Sequence, residues 1–372
     1  MANVGVVGLG TMGLGIAQVF LAAGHSVLAT DSHAPTRLSA QGRLAQALDK
    51  RVAAGKITPP KRQADVSRFA IFEDLNDLAP CDLVIEAIAE KLDAKRALFA
   101  ELELVLSKTA VLATNTSALS IEEMSQVLAR PERLLGLHFF NPAPAMKLVE
   151  LVTRLTNAPD AVHLARQIVE TAGKTVIECA DQPGFIVNRC ARPFYGEALA
   201  MLEEGLSAVD IDAAMLAAGY RLGPFALIDL IGADINLAAT KSLYDAMENH
   251  PRYFLFQSLI DQVASGSLGA KTGNGFVTGI KIAPRANDAI VLRIESTLAN
   301  EAASLLDGGT QSPASIDLAM KLALNFPRGP FESTQRWGVT AVENALKKLA
   351  KSAPTHLKGR YDISPSLLSL PI

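Results

Sequence analysis

Apolar residues in this chain follow two rhythms, and the change between them falls near residue 182. Before it, short β-rich runs alternate with helix-forming stretches. Asn3 to Gly8 opens as a strand, Leu14 to Ala23 follows as a helix closed by Gly24, and Ser26 to Thr30 is a second strand. From about Pro35 to Arg68 the pattern is mostly helical. Strands are predicted again at Ala70–Phe72, Asp82–Glu86 and Val111–Thr114, with a helix to about Leu106 before the last. Arg133–His138 and Lys147–Thr153 flank a loop with Pro142 and Pro144, and the second run is predicted to return antiparallel. Lys174–Glu178 completes residues 1–182 as a doubly wound parallel α/β sheet.

After Asp181-Gln182-Pro183-Gly184 the pattern turns helical. Helices are predicted over Ile186–Glu204, Ala208–Ala218 and Leu227 to about Glu248, with another to Ala264 after His250-Pro251. Gly266, Gly269, Gly273 and Gly275 read as a mobile loop. The rest of the chain repeats this part. Glu197-Ala198-Leu199 with Leu202 and Gly205 recurs as Glu301-Ala302-Ala303 with Leu306 and Gly309. Ile211-Asp212-Ala213-Ala214-Met215 recurs as Ile316-Asp317-Leu318-Ala319-Met320, and Gly223-Pro224-Phe225 with Gly232 as Gly329-Pro330-Phe331 with Gly338. The offset drifts only from 104 to 106. This predicts an all-α domain in two tandem copies, 183–282 and 283–372. The second copy is degenerate: Asp229 becomes Gln335 and Asn188 has no clear counterpart, so packing without chemistry is expected of it. From Thr355 onward, with Pro354, Pro365 and Pro371, an ordered tail at best is expected.

Totals narrow the function class. A chain of 372 residues, 49% apolar and 20% charged, suits a globular protein of two or three domains. A net charge of −3 offers no global attraction to nucleic acid or an anionic membrane. Cys81, Cys179 and Cys190 lack metal-ligand spacing and read as small buried residues of a reducing compartment. With no cationic leader and no apolar run long enough to span a bilayer, a cytoplasmic protein is expected.

Gly8-Leu9-Gly10-Thr11-Met12-Gly13 follows the first strand and opens the first helix. Glycines here permit the tight turn, the approach of backbone to a pyrophosphate and close helix–strand packing. The helix N-terminus adds amide donors. Asp31, eighteen residues beyond Gly13, ends the second strand where a carboxylate would accept the adenosine ribose hydroxyls, favouring NAD over NADP. Arg37 nearby argues mildly the other way. This makes the fold Rossmann-type. Lys50, Arg51, Lys56, Lys61 and Arg62 form either a solvated helical face or a cationic patch for a phosphorylated carrier. Asn115-Thr116-Ser117 ends a buried strand at the edge where ligands sit in such sheets. His138 and Glu150 each lie six residues from Pro144, so a hairpin centred there would set them side by side as an acid–base pair.

These residues resemble the L-3-hydroxyacyl-CoA dehydrogenase family, including its 3-hydroxybutyryl-CoA members. The resemblance rests on Gly8 to Ala17, Asn115-Thr116-Ser117, His138-Phe139-Phe140-Asn141-Pro142 with Glu150, and Gly184-Phe185-Ile186-Val187-Asn188-Arg189, and covers residues 1 to about 280. It implies His138 as general base and acid, Glu150 as its partner with Asn141 beside the pair, and Ser117 and Asn188 as substrate contacts. It implies Asp31, Glu90, Lys95 and Asn115 at NAD, Lys271 closing on the nicotinamide end, and Lys50 and Lys56 at coenzyme A. It implies activity on acyl-CoA thioesters of fatty-acid β-oxidation. Because shorter relatives dimerise through the helical domain, the repeat implies a monomer with an intramolecular pseudo-dimer, or else a homodimer.

Other functions remain open on sequence. One is a dehydrogenase of a free hydroxy acid or a carnitine-like molecule; another is a non-catalytic, crystallin-like NAD binder. Acyl length stays open too, as does a second carboxylate on the substrate, for which Arg189 and Arg192 are candidate partners.

Overall fold

The computed structural model describes residues 1–307 and 311–370, which form two compact units, 1–182 and 183–372. Gly309 and Pro371, named above, lie outside the described residues.

The first unit is built on one eight-stranded sheet. Its strands are β1 (Asn3–Val7), β2 (Ser26–Thr30), β3 (Phe69–Ile71), β4 (Leu83–Glu86), β5 (Val111–Thr114), β6 (Leu134–Phe139), β7 (Leu148–Thr153) and β8 (Thr175–Ala180). Their spatial order is β3-β2-β1-β4-β5-β6-β7-β8. The first six run parallel, and β7 returns antiparallel beside β6. Helices α1 (Thr11–Ala22), α2 (Ala34–Ala53), α3 (Pro59–Ser67), α4 (Leu92–Val105), α5 (Ile121–Ser125) and α6 (Pro159–Thr171) join them. The continuous apolar character of the central strands has a direct cause: helices cover both faces of a parallel sheet. Val4, Val6, Leu83, Ile85, Val111, Leu135 and Leu137 are all wholly buried in one core. Each such side chain contributes about 1.5–3 kcal/mol on burial.

Gly13 brings α1 against β1. A Cβ there would lie 1.8 Å from the carbonyl oxygen of Gly8, so only glycine fits. The β6–β7 loop is pinned from behind, where Lys174 Nζ donates to the carbonyl oxygens of Ala143 and Met146, each at 2.7 Å. Burial, and then the charge of Arg51, hold the Lys174 amine below its ordinary pKa.

The second unit is helical: α7 (Val187–Glu203), α8 (Ala208–Ala217), α9 (Pro224–Ile231), α10 (Ala233–Ala246), α11 (Gln257–Ala264), α12 (Asp288–Leu306), α13 (Pro313–Leu324), α14 (Pro330–Trp337), α15 (Val339–Ser352) and α16 (Pro365–Leu368). Residues 183–282 and 283–372 are not separate bodies, because both belong to this one unit. Its centre is the packing of α7 on α12. Arg189 Nε donates to Glu301 Oε1, and Arg293 Nε to Glu197 Oε1, both at 2.6 Å. Glu301 also accepts from Tyr253 at 2.5 Å and Arg252 at 3.2 Å, and Glu197 from Tyr361 at 3.0 Å and Arg360 at 3.2 Å. Both glutamates are fully buried.

Three sequence expectations are corrected here. The helix predicted over Leu227–Glu248 is two helices, because Gly232 stands at φ +108° between α9 and α10. The glycine loop 266–275 is tied down rather than loose: Gly269 pairs with Asn274, and Asp229 accepts the N–H groups of Phe276 and Val277 at 2.9 and 2.8 Å. The tail is part of the core, since Arg360, Tyr361 and Leu367 are buried.

Candidate active site

The C-terminal ends of β1, β4, β5 and β6 carry most of the residues singled out in the first unit. Gly10 precedes α1, and a Cβ there would meet nothing within 4 Å, so the turn stands open beside the helix N-terminus. Thr11 and Met12 begin that helix. Asp31 follows β2, accepting the N–H of Leu9 on Oδ2 at 2.7 Å and of His33 on Oδ1 at 2.8 Å. Each oxygen keeps a lone pair for a ribose hydroxyl. Arg37 is engaged elsewhere: it donates to the Asp31 carbonyl at 2.7 Å and pairs with Glu73 at 2.8 Å. An open turn at a helix N-terminus beside an unneutralised acid fits NAD.

Around β4 lies a network that sequence reasoning only half anticipated. Lys95 is 1% exposed, and its ammonium contacts Glu86 at 2.6 Å and Glu90 at 3.1 Å. It is a buried strut behind Glu90, not an open surface for a dinucleotide. Glu90 accepts the Ser117 N–H at 3.2 Å and the Thr116 hydroxyl. Glu86 also accepts the Thr114 hydroxyl. Glu86 escapes the sequence reading, which names Thr116 only as a member of Asn115-Thr116-Ser117; the signal for Glu86 is an acid closing the apolar run Leu83-Val84-Ile85. Asn115 is likewise turned to the scaffold, its Oδ1 accepting the Phe139 N–H at 2.9 Å. It thus ties the end of β5 to the residue after His138.

His138 and Glu150 are direct partners in the β6–β7 register. His138 Nδ1 lies 2.6 Å from Glu150 Oε2, with Glu150 fully buried and His138 6% exposed. In the tautomer whose Nδ1–H donates to Glu150, the ring's free lone pair is on Nε2. Phe140 packs against the imidazole at 4.4 Å between ring centroids. Asn141 is exposed in the loop beyond β6. Lys50, in the last turn of α2, and Lys56 just beyond it are exposed, whereas Lys61 and Arg62 are taken up by Asp65 and Asp49.

In the second unit, Asn188 lies inside α7, whose N-cap is Ile186, so capping does not explain it. Lys271 Nζ contacts Asp234 Oδ2 at 2.6 Å.

The family model described as 3-hydroxyacyl-CoA dehydrogenase, NAD binding domain, matches residues 3–182, and that of its C-terminal domain matches 184–279 and 290–370. The chain belongs to the 3-hydroxyacyl-CoA dehydrogenase family. This is a family of NAD-dependent oxidoreductases. The chain is 44% identical over 277 residues to a protein of Escherichia coli K12 named 3-hydroxyadipyl-CoA dehydrogenase, covering 73% of this chain and 58% of that one. It is 39% identical over 281 residues to a Mycobacterium tuberculosis 3-hydroxybutyryl-CoA dehydrogenase, covering 74% of this chain and 98% of that one. The crystal structure of an E. coli K12 3-hydroxybutyryl-CoA dehydrogenase superposes with a TM-score of 0.91 at 31% identity, over 99% of this chain and 98% of that one. Among the described residues, no helix is long and apolar enough to cross a membrane.

Proposed function

We propose that this chain interconverts a (3S)-3-hydroxyacyl-CoA and the 3-oxoacyl-CoA, with His138 as the proton-transfer group. The observation that carries the reading is the 2.6 Å contact between His138 Nδ1 and Glu150 across the β6–β7 pairing. In oxidation, neutral His138 takes the 3-hydroxyl proton on Nε2 while C3 loses hydride; in reduction it returns that proton. NAD, when bound, supplies the hydride acceptor. Glu150 fixes the tautomer and stabilises the imidazolium that forms, as a carboxylate does beside a catalytic histidine. Ser117 and Asn188 orient the substrate oxygen, which is positioning rather than proton chemistry. Glu90 orients Ser117 through its backbone N–H, and Lys95 acts through Glu90. Lys50 and Lys56 meet the phosphates of coenzyme A.

Reduction of acetoacetyl-CoA by NADH tests the reading. His138→Gln should lower kcat by about 10²- to 10⁴-fold. Unchanged turnover would remove His138 from the mechanism.

We infer further that residues 183–282 and 283–372 are two copies of one helical unit, packed as a dimer packs. Reciprocity supports this: Arg189, Glu197, Arg252 and Tyr253 stand toward Glu301 and Arg293 as Arg293, Glu301, Arg360 and Tyr361 stand toward Glu197 and Arg189. Residue i meeting j while j's equivalent meets i's is the mark of an isologous contact. A chain that carries its own partner should be monomeric. A tight dimer through residues 185–280 in light scattering would count against it.

A further inference from the structure

The buried and half-buried arginines of the helical unit fall into two kinds. Arg189, Arg252, Arg293, Arg328 and Arg360 each meet a glutamate. Arg192 does not. It is 8% exposed, and among the described residues no carboxylate lies within 4 Å of it. Its Nε donates to the Asn188 carbonyl at 3.1 Å, its Nη1 to Thr240 Oγ1 at 3.1 Å, and its guanidinium stands 4.9 Å from the Tyr195 ring centre. Burial holds its pKa below the ordinary value, with only Tyr195 acting the other way. Next to it on α10 is Asn236, 2% exposed, with neither Oδ1 nor Nδ2 hydrogen-bonded. Buried polar groups left open in this way call for a partner.

The repeat supplies an internal control. At an offset of 104, Arg189 and Glu197 recur as Arg293 and Glu301, so the scaffold pairs are kept. At the same offset Asn188 and Arg192 become Leu292 and Ser296, and at 106 Asn236 and Thr240 become Val342 and Leu346. Val342 and Leu346 are buried and apolar. The places of Asn236 and Thr240 are therefore filled by apolar side chains, and that of Arg192 by the small uncharged hydroxyl of Ser296. What Arg192, Asn236 and Thr240 add is specific to the copy that carries Asn188.

We propose that Arg192, oriented by Thr240 and joined by Asn236, binds the terminal carboxylate of a dicarboxylic acyl chain on the thioester substrate. The assignment rests on the thioester dehydrogenase reading above, in which Asn188 meets the substrate oxygen at C3. Arg192 lies one turn further along the same face of α7, a rise of about 6 Å. A short chain of about six carbons matches that reach, its C3 and C6 lying about 4 Å apart when extended. A planar guanidinium suits a carboxylate, which it can bind through two parallel N–H donors.

Two substrates of equal carbon number test this with the full chain and NAD: 3-hydroxyadipyl-CoA and 3-hydroxyhexanoyl-CoA. The quantity read is the ratio of their kcat/KM values. The wild-type chain should favour the dicarboxylic substrate, Arg192→Gln should collapse the ratio by about 100-fold, and Arg192→Lys should keep part of it. A ratio unmoved by Arg192→Gln, whatever happens to the absolute rates, overturns the assignment. A wild-type preference for 3-hydroxyhexanoyl-CoA overturns it without any variant, and leaves the dehydrogenase reading standing. Turnover of neither substrate, nor of 3-hydroxybutyryl-CoA, overturns both.

Discussion

Arg189 and Glu301 meet at 2.6 Å although 112 residues separate them. The contact is buried, and it belongs to a cluster in which Glu301 also answers Arg252 and Tyr253. Burial by itself would push the Glu301 carboxyl up; the two guanidinium groups and the tyrosine hydroxyl reverse that and hold it below the ordinary range. Glu197, with Arg293, Arg360 and Tyr361, makes the same arrangement at the other end of the α7–α12 contact.

Removing the charge of Glu301 takes this acid away from two partly desolvated arginines. Glu301→Gln should therefore destabilise the chain by about 3–5 kcal/mol. Urea denaturation followed by circular dichroism measures it. A loss below about 1 kcal/mol, the worth of an exposed pair, would show that the cluster is not anchoring the two helices.

Glu150 should matter to rate more than to affinity. Glu150→Gln keeps the size of the side chain but removes the charge that, in the proposed mechanism, stabilises the imidazolium of His138. Expected is a fall in kcat of about 10²- to 10⁴-fold in acetoacetyl-CoA reduction. NADH binding, followed by its fluorescence, should change little, because Glu150 faces His138 rather than the glycine turn. A matching loss of NADH affinity would mean that the sheet edge itself had been disturbed.

Much of this is legible in the sequence. Ser26–Thr30 and Val111–Thr114 are strands because β-rich apolar runs end in turn residues. The His138–Glu150 pair followed from symmetry about Pro144, since an antiparallel return fixes which residues face each other. Gly232 was harder, because a lone glycine within a helical pattern can be tolerated or can end the helix, and only its φ of +108° decides. Lys95 and Asn115 match the family's cofactor contacts by position. That they turn inward, to Glu86 and to the Phe139 N–H, depends on partners 9 and 24 residues away. The ionic reciprocity across the helical unit was half visible. The repeat paired Glu197 with Glu301, but no periodicity announces that Arg360 and Tyr361 fold back from an apparent tail.

Lys95 gives a prediction that separates charge from chemistry. Lys95→Met strands the carboxylate of Glu86, which is wholly buried, and should cost about 3–5 kcal/mol. Adding Glu86→Gln removes the stranded charge and should restore much of that stability in a thermal melt. Turnover should recover less than stability does, because Glu90 would still lack the ammonium that holds it against the Ser117 loop. Parallel recovery of both would reduce Lys95 to a purely structural part.

Asp212 and Asp317 make stability depend on pH. Each lies within one helix, α8 or α13, and accepts two backbone N–H groups from the first turn of the next, Asp212 from Phe225 and Ala226, Asp317 from Phe331 and Glu332. Burial outweighs those bonds and raises both carboxyls to about 6. The unfolded chain releases the same protons near pH 4. Between those values the folded state binds more protons than the unfolded one, so this stabilisation is complete below about pH 4 and is lost as pH rises through 6. A shift of about two units corresponds to about 3 kcal/mol per group. Asp212→Asn and Asp317→Asn each remove one such titration, and the lost N–H contact adds only an offset that does not vary with pH. The unfolding free energy of the wild-type chain, relative to either variant, should thus fall between pH 4.5 and pH 7. Urea titrations at both values decide it: a difference that stays flat, or rises with pH, would mean that the backbone donors and not burial set the charge of these carboxyls.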